Sequence, residues 1–416
     1  MGFQHGLSGL NAASKNLDVI GHNVANSSTT GFKSSRAEFA EMVASAIGSS
    51  SGSTSGIGAN VAAVTQQFTQ GAINSTGNSL DLAVNGDGFF HVSLNDGTQA
   101  YTRSGNFQLD KAGNLVTFDG ANVMGYSIDQ ATGLANSTAL EALKFPTGQP
   151  IPAKETKEVT VALNLNARAT PAAGDTSVAP PILATPRAAY GTSLEVFDSQ
   201  GLPTPVTMYF EKGEGNTWNV FNSLAADADS IGTLVFDESG KLASGNTLSL
   251  TIPGSELPNP NNSGANPVRD LELTLDMSAV TQFGSDFAVS KLSHDGYAAG
   301  ELNGINISGD GTVMATYSNG VTRAESQLAL AKFSNVQGLS SIGNNNWVVT
   351  SDSGAPVFGT AKSGSFGSLI SGALESSNVD LTAELVGMMT AQRAYQANAQ
   401  TIKTQDQVFS TLVNLR

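Results

Sequence analysis

The sequence predicts a multi-domain α+β protein, mainly β, with an α-helix at each end and two nested β domains between them. Three observations predict it. Apolar residues recur every seven positions at both ends, the intervening chain consists of short apolar runs broken by Gly, Asn and Asp turn pairs, and Gly/Ser-rich stretches separate the two patterns. With 416 residues, 40% hydrophobic and 13% charged, and 45 glycines, the composition fits a folded, turn-rich chain.

At the N-terminus Phe3, Leu10, Leu17 and Val24 fall seven apart, with Leu7 on the second row. A helix over about residues 3–25 would stop in Asn26-Ser27-Ser28-Thr29-Thr30-Gly31, a cluster of cap and turn residues. At about 1.5 Å per residue it would be roughly 35 Å long. Residues 32–47 are expected as a second short helix or irregular chain. Residues 48–58, with Gly48, Gly52, Gly56 and Gly58, read as a flexible joint within a 31–72 linker region.

From Val61 the pattern turns to strands. Leu80-Asp-Leu-Ala-Val84, Asn85-Gly86-Asp87-Gly88 and Phe89-Phe90-His91-Val92 read as strand, turn, strand. An apolar strand followed by Asp-x-x-Gly recurs at Asp110–Gly113, Asp198–Gly201 and Asp237–Gly240; the irregular spacing marks shared turn chemistry and no solenoid. These features give an inner β domain over 73–145 and 288–362, with a second β domain inserted at 146–287. Residues 363–376 form a second joint; its candidate hinge glycines, with Gly359 just upstream, are Gly364, Gly367 and Gly372. The last helix starts at Ser377 or Asp380, both good N-caps, within a 377–416 end segment. Its stripe is Leu381, Met388, Tyr395, Ile402 and Phe409, with Leu385 and Val413 on the second row.

Both stripes are narrow. Ser14 and Gly21 interrupt the first, Gln392 and Asp406 the second, whereas a helix lying on a globular core shows a wider apolar face. Narrow seams with embedded polar residues suit a coiled-coil end domain that packs among copies of itself. The twelve stripe residues are therefore the candidate polymerisation interface, and both ends are expected to lack order until neighbours cover them.

The formal charge of −15 is concentrated centrally: residues 1–42 hold three basic and three acidic side chains, residues 370–416 three and four, and the remainder 14 and 28. No basic stripe offers a nucleic-acid site, and no run of about 18 apolar residues offers a membrane span. The first residues lack the pattern of a cleaved secretory signal. Nor does the chain show catalytic, metal or cofactor chemistry. It has no cysteine. Gly48-Ser49-Ser50-Ser51-Gly52 matches a nucleophile elbow only by letters, with no strand before it. His5, His22, His91 and His294 lack ligand spacing. Asp295-Gly296 and Gly309-Asp310-Gly311 lack the oxygen series and closing Glu of a calcium loop.

Several ordered blocks resemble the axial proteins of the bacterial flagellum, the rod and hook subunits. They are Gly9-Leu-Asn-Ala-Ala13, Leu17-Asp-Val-Ile-Gly-His-Asn-Val-Ala-Asn26 and Thr30-Gly-Phe-Lys33; then Gln70-Gly71, Thr76-Gly-Asn-Ser-Leu-Asp-Leu-Ala-Val84, Gly86-Asp-Gly-Phe-Phe90 and Tyr101-Thr-Arg-Ser-Gly-Asn-Phe107; and finally Gly372-Ala-Leu-Glu-Ser-Ser-Asn-Val-Asp-Leu381, Ala391-Gln-Arg-Ala-Tyr-Gln-Ala-Asn398 and Thr401-Ile-Lys-Thr-Gln-Asp-Gln407. Rod subunits of this type lack a long insertion, so residues 145–287 favour the hook branch over the alternative of a distal rod subunit. The resemblance implies a structural, non-enzymatic subunit of a curved, torque-transmitting tube that works as a universal joint. It also implies export through the flagellar type III apparatus to an extracellular location. The implied partners are the chain itself, the distal rod protein, hook–filament junction proteins, the hook cap and the hook-length regulator. From another class, a secreted β-rich adhesin is the remote alternative.

Overall fold

The computed structural model describes residues 2–44, 55–129, 139–145, 150–175, 182–185, 189–225, 228–257 and 269–414. The chain divides into two compact units: residues 1–147, 304–316 and 322–416 form the first, and residues 148–303 with 317–321 the second. The inserted unit thus extends past the expected boundary at residue 287. The reason is the strand Ala288–His294, which pairs antiparallel with Glu158–Asn166 inside the insertion.

In the first unit, helix α1 (Gly2–Ala25) and helix α2 (Leu381–Asn414) are the two end helices. Asp380 is the cap of α2, its Oδ1 accepting from the amides of Thr382 at 2.9 Å and Ala383 at 3.1 Å. After α1 come β1 (Ser35–Ala44) and β2 (Ser55–Gln66), paired antiparallel as a long ribbon. Over residues 35–44 this replaces the helix or irregular chain expected for 32–47, of which 45–47 lie outside the described residues. Local propensity is overridden there by long-range pairing: the Asn23 side chain accepts from the Ser35 amide and donates to the Ser35 carbonyl, both at 2.8 Å. An amide side chain that satisfies both backbone groups of one residue acts as a neighbouring strand would.

The body of this unit is a twisted sheet whose central order runs Thr312–Tyr317, Thr322–Lys332, Asn122–Ser127, Phe89–Ser93, Gln99–Thr102 and Asn346–Val348. Both faces are covered. Phe90 and Leu330 enter one cluster with Leu82, Val92, Leu115 and Val123, while Phe89 and Ala331 enter another with Tyr101, Phe333 and Trp347. Adjacent residues on opposite faces are the consequence of strand alternation.

The strand–turn–strand expected across Asn85–Gly88 does not form a hairpin. Leu82–Asn85 pairs with Ser368–Ser371, and Phe89–Ser93 pairs with the next strand, Gln99–Thr102, so the two strands flanking the turn do not pair with each other. The Asp-x-x-Gly turns do form. Asp110, Asp198 and Asp237 each accept through Oδ1 from the amides two and four residues on, with Gly113, Gly201 and Gly240 at φ of 84°, 82° and 79°.

The stretch 359–372 is not a loose joint. Val357–Thr360 pairs with Ala329–Lys332, and Ser368–Ser371 closes on Leu82–Asn85. Gly359 and Gly367 are there for space. A Cβ at Gly359 would lie 2.3 Å from the Phe366 ring, and one at Gly367 2.4 Å from the Asn85 carbonyl oxygen. Gly364 and Gly372 stand at positive φ in tight turns. Of the earlier candidate hinge residues, Gly48 and Gly52 lie outside the described residues, while Gly56 and Gly58 are paired in β2.

In the second unit, two five-stranded sheets enclose one core. Alternate residues Val159, Val161, Leu163 and Leu165 of one sheet face it, as do Val206, Met208, Phe210, Trp218 and Leu234 of the other. The buried Trp218 indole donates to Gln282 Oε1 at 2.9 Å, so the largest core side chain leaves no orphaned N–H.

Candidate assembly surface

The end helices pair antiparallel. Gly6 lies against Ile402, Gly9 against Asn398, Ile20 against Gly387, and the Asn23 amide donates to Glu384 Oε1 at 2.8 Å. Small residues set the approach: a Cβ at Gly6 would come within 2.9 Å of Ile402 Cγ1, and one at Gly9 within 2.8 Å of the Asn398 amide. Ala13 and Ala391 are buried at mid-seam. On its flank, α1 is met by the ribbon, where a Cβ at Gly58 would lie 2.1 Å from Ser8 Oγ.

The row of α1 that carries this pairing is therefore 6, 13 and 20, not the stripe 3, 10, 17 and 24. Leu10, Leu17 and Val24 are half-buried, and Phe3 and Leu7 are exposed. On α2, Met388 and Ile402 turn partly inward, whereas Leu381, Leu385, Tyr395 and Phe409 are exposed. Exposure reaches 47% at Phe3, 46% at Leu385 and 58% at Phe409, high values for large apolar side chains. Val413 belongs to the helix, but its side chain lies outside the described residues. A second, small-residue row thus lets each helix serve as the other's partner within the chain. Heptad spacing does not mark Val386, Met389 and Val408, all at least half exposed. They stand off the stripe, and only their exposure marks them.

Where the helices join the β body, a buried network holds five short segments, residues 31–34, 67–71, 86–89, 103–104 and 375–378. Lys33 Nζ reaches Glu375 Oε1 at 2.6 Å and donates to the Thr69 carbonyl at 2.7 Å. Arg103 reaches Glu375 Oε2 at 3.3 Å and the Gly86 carbonyl at 2.9 Å, with its guanidinium 5.1 Å from the Phe89 ring centroid. The Gly71 amide donates to Glu375 Oε1, and the Gly31 amide to the Glu375 carbonyl. Gly31 is at φ 71°, and a Cβ there would lie 2.6 Å from the Ser104 nitrogen. Burial draws the Lys33 ammonium below the ordinary lysine range, with Glu375 pulling the other way. Asn378 completes the junction by accepting from the Ser34 amide and donating to the Gln67 carbonyl, both at 2.7 Å. None of these polar residues was a sequence candidate. They lie inside the resembling blocks, as Lys33, Arg103, Glu375 and Asn378, and the charges of Lys33, Arg103 and Glu375 are the available signal in otherwise apolar or small-residue stretches.

Among the described residues no group of three or more His, Asp or Glu side chains is placed to hold a metal, and no helix is long and apolar enough to cross a membrane.

Four family models match the chain. They are the flagella basal body rod protein over residues 3–33, the flagellar hook protein FlgE/F/G D1 domain over 83–164, the flagellar basal body protein FlaE D2 domain over 164–297 and the flagellar basal body rod FlgEFG protein C-terminal region over 370–415. The flagellar hook protein FlgE of Escherichia coli is 41% identical over 428 residues, covering 100% of both chains, and that of Salmonella typhimurium is 40% identical with the same coverage. Among solved structures, the flagellar hook protein FlgE2 of Helicobacter pylori aligns at a TM-score of 0.52 with 15% identity, covering 73% of this chain and 100% of that one; this likeness is one of fold.

Proposed function

The chain belongs to the flagellar hook protein family as a structural hook subunit, and we propose that it polymerises through its end helices into a curved tube that transmits torque. The observation that carries this reading is the row of large apolar side chains left open on two helices already paired with each other. A pair that has satisfied its own seam and still exposes Phe3, Leu7, Leu381, Leu385, Met389 and Phe409 has a further surface to cover, and copies of the same pair supply a matching one. The near-neutral ends allow such copies to approach closely, while the acidic central residues favour solvation.

Match at full length to hook proteins, inserted unit included, favours this reading over a distal rod subunit and over an adhesin. As a hook subunit the chain is part of the flagellum, reached by type III export. The proposed contacts are other copies, the distal rod below, junction proteins above, and the cap and length regulator during growth. Bending would come from sliding of packed subunits past one another. Electron microscopy of polymer grown from the purified chain tests the proposal: curved tubes are expected, and straight, stiff rods would refute the hook assignment.

A further inference from the structure

We propose that Lys33, Arg103 and Glu375 form a positioning clamp that fixes the direction in which the helix pair leaves the β body of the first unit, an inference that rests on the chain being a torque-bearing subunit. The three side chains are withdrawn from water, at 0%, 6% and 0% exposure. Their bonds are directional and reach both sides of the junction. Lys33 lies between α1 and β1, and Glu375 ends the short strand Ala373–Glu375 five residues before the cap of α2. Arg103 and its acceptor Gly86 belong to the sheet body, and Thr69 and Gly71 to the segment that leaves β2.

A buried ionic cluster is a poor source of stability, because desolvation offsets most of the attraction, and apolar side chains of similar volume commonly serve as well. What it supplies is angular definition. Each Glu375 oxygen has its own cation, and the Gly71 amide shares Oε1 with Lys33, so neither helix root can rotate or slip without breaking a charge-assisted bond in a site closed to water. Apolar contacts at the same place would permit sliding. Asn23 and Asn378 extend the same logic outward by tying Ser35 to α1 and Ser34 to the segment that leads into α2. Rotation of the helix pair is thereby passed to the sheet through fixed hydrogen bonds, and the compliance of the polymer lies elsewhere than at the former joint candidates Gly359–Gly372.

The test uses the full chain in two variants. Arg103→Lys keeps the charge but loses the two-pronged reach to Glu375 and Gly86. Lys33→Met with Arg103→Met and Glu375→Leu replaces the cluster by apolar volume, so that folding is retained if the direct variant fails to fold. Hydrogen exchange of the free subunit should accelerate about tenfold at residues 31–34 and 373–378, while the sheet strands keep their protection. Polymer grown from the variants should bend more easily than the unsubstituted polymer. Unchanged local exchange, or an acceleration spread evenly over the β body, would overturn the clamp, since the second pattern is that of a stabilising cluster only. Failure of the unsubstituted chain to form tubes would count against the polymer reading alone, and the exchange result would still decide the clamp.

Discussion

Leu385 separates the demands of the subunit from those of the polymer. It stands one residue beyond Glu384, which bonds Asn23 across the helix seam, yet its own side chain is 46% exposed. Complete burial of a leucine contributes about 1.5–3 kcal/mol, so the surface still open is worth about 1 kcal/mol to any contact that covers it. Leu385→Ala should therefore raise the critical concentration for polymerisation about fivefold. Leu385→Asp adds the desolvation of a carboxylate, a cost of several kcal/mol, and should abolish assembly. Neither substitution opens a cavity in the free chain, so its melting temperature should move by no more than about two degrees. Sedimentation of polymer against subunit concentration, paired with thermal unfolding of the free subunit, measures both effects. Polymerisation of the Asp variant at the unsubstituted concentration would refute the argument, and so would a collapse of subunit stability.

Ile402→Asp should behave in the opposite manner, because Ile402 packs on Gly6 within the chain; helical circular dichroism of the free subunit should fall. Gly71→Ala would set a Cβ 2.0 Å from the Ser376 carbonyl oxygen, and calorimetry should show a loss on the order of 3 kcal/mol. His91 is stacked on Tyr101 at 5.3 Å and lies 4.9 Å from Phe358, and burial pushes its imidazole below the ordinary value of 6.5, against a weaker pull from Gln99. The unfolded chain then binds the proton more readily. Stability should fall as pH is lowered from 6.5 toward the depressed folded value, and His91→Leu should flatten that slope in urea titrations. Trp218→Phe removes the buried bond to Gln282 and should destabilise the second unit by about 1–3 kcal/mol, read by denaturant unfolding.

Much of the architecture was legible because it is local. Heptad spacing marked both helices, Asp380 marked the start of α2, and Asp110, Asp198 and Asp237 marked turns whose capping bonds span only four residues. The errors fell where distant partners decided the outcome. β1 is rich in Ala, Glu and Met, good helix formers, and became a strand because β2 and the Asn23 side chain supply its hydrogen bonds. The Gly/Ser run near the C-terminal end looked loose, yet Gly359 and Gly367 are small because Phe366 and Asn85 press against them.

By itself the sequence determined that the chain is a β-rich body with amphipathic ends and belongs among flagellar axial subunits, because periodicity and ordered blocks are carried by neighbouring residues. Which row of each helix faces the other was decided only by the tertiary structure. So was the meeting of Lys33, Arg103 and Glu375, since 342 residues separate the first from the last. Backbone approach and the enclosure of charge depend on segments that meet only after folding, and no local pattern records them.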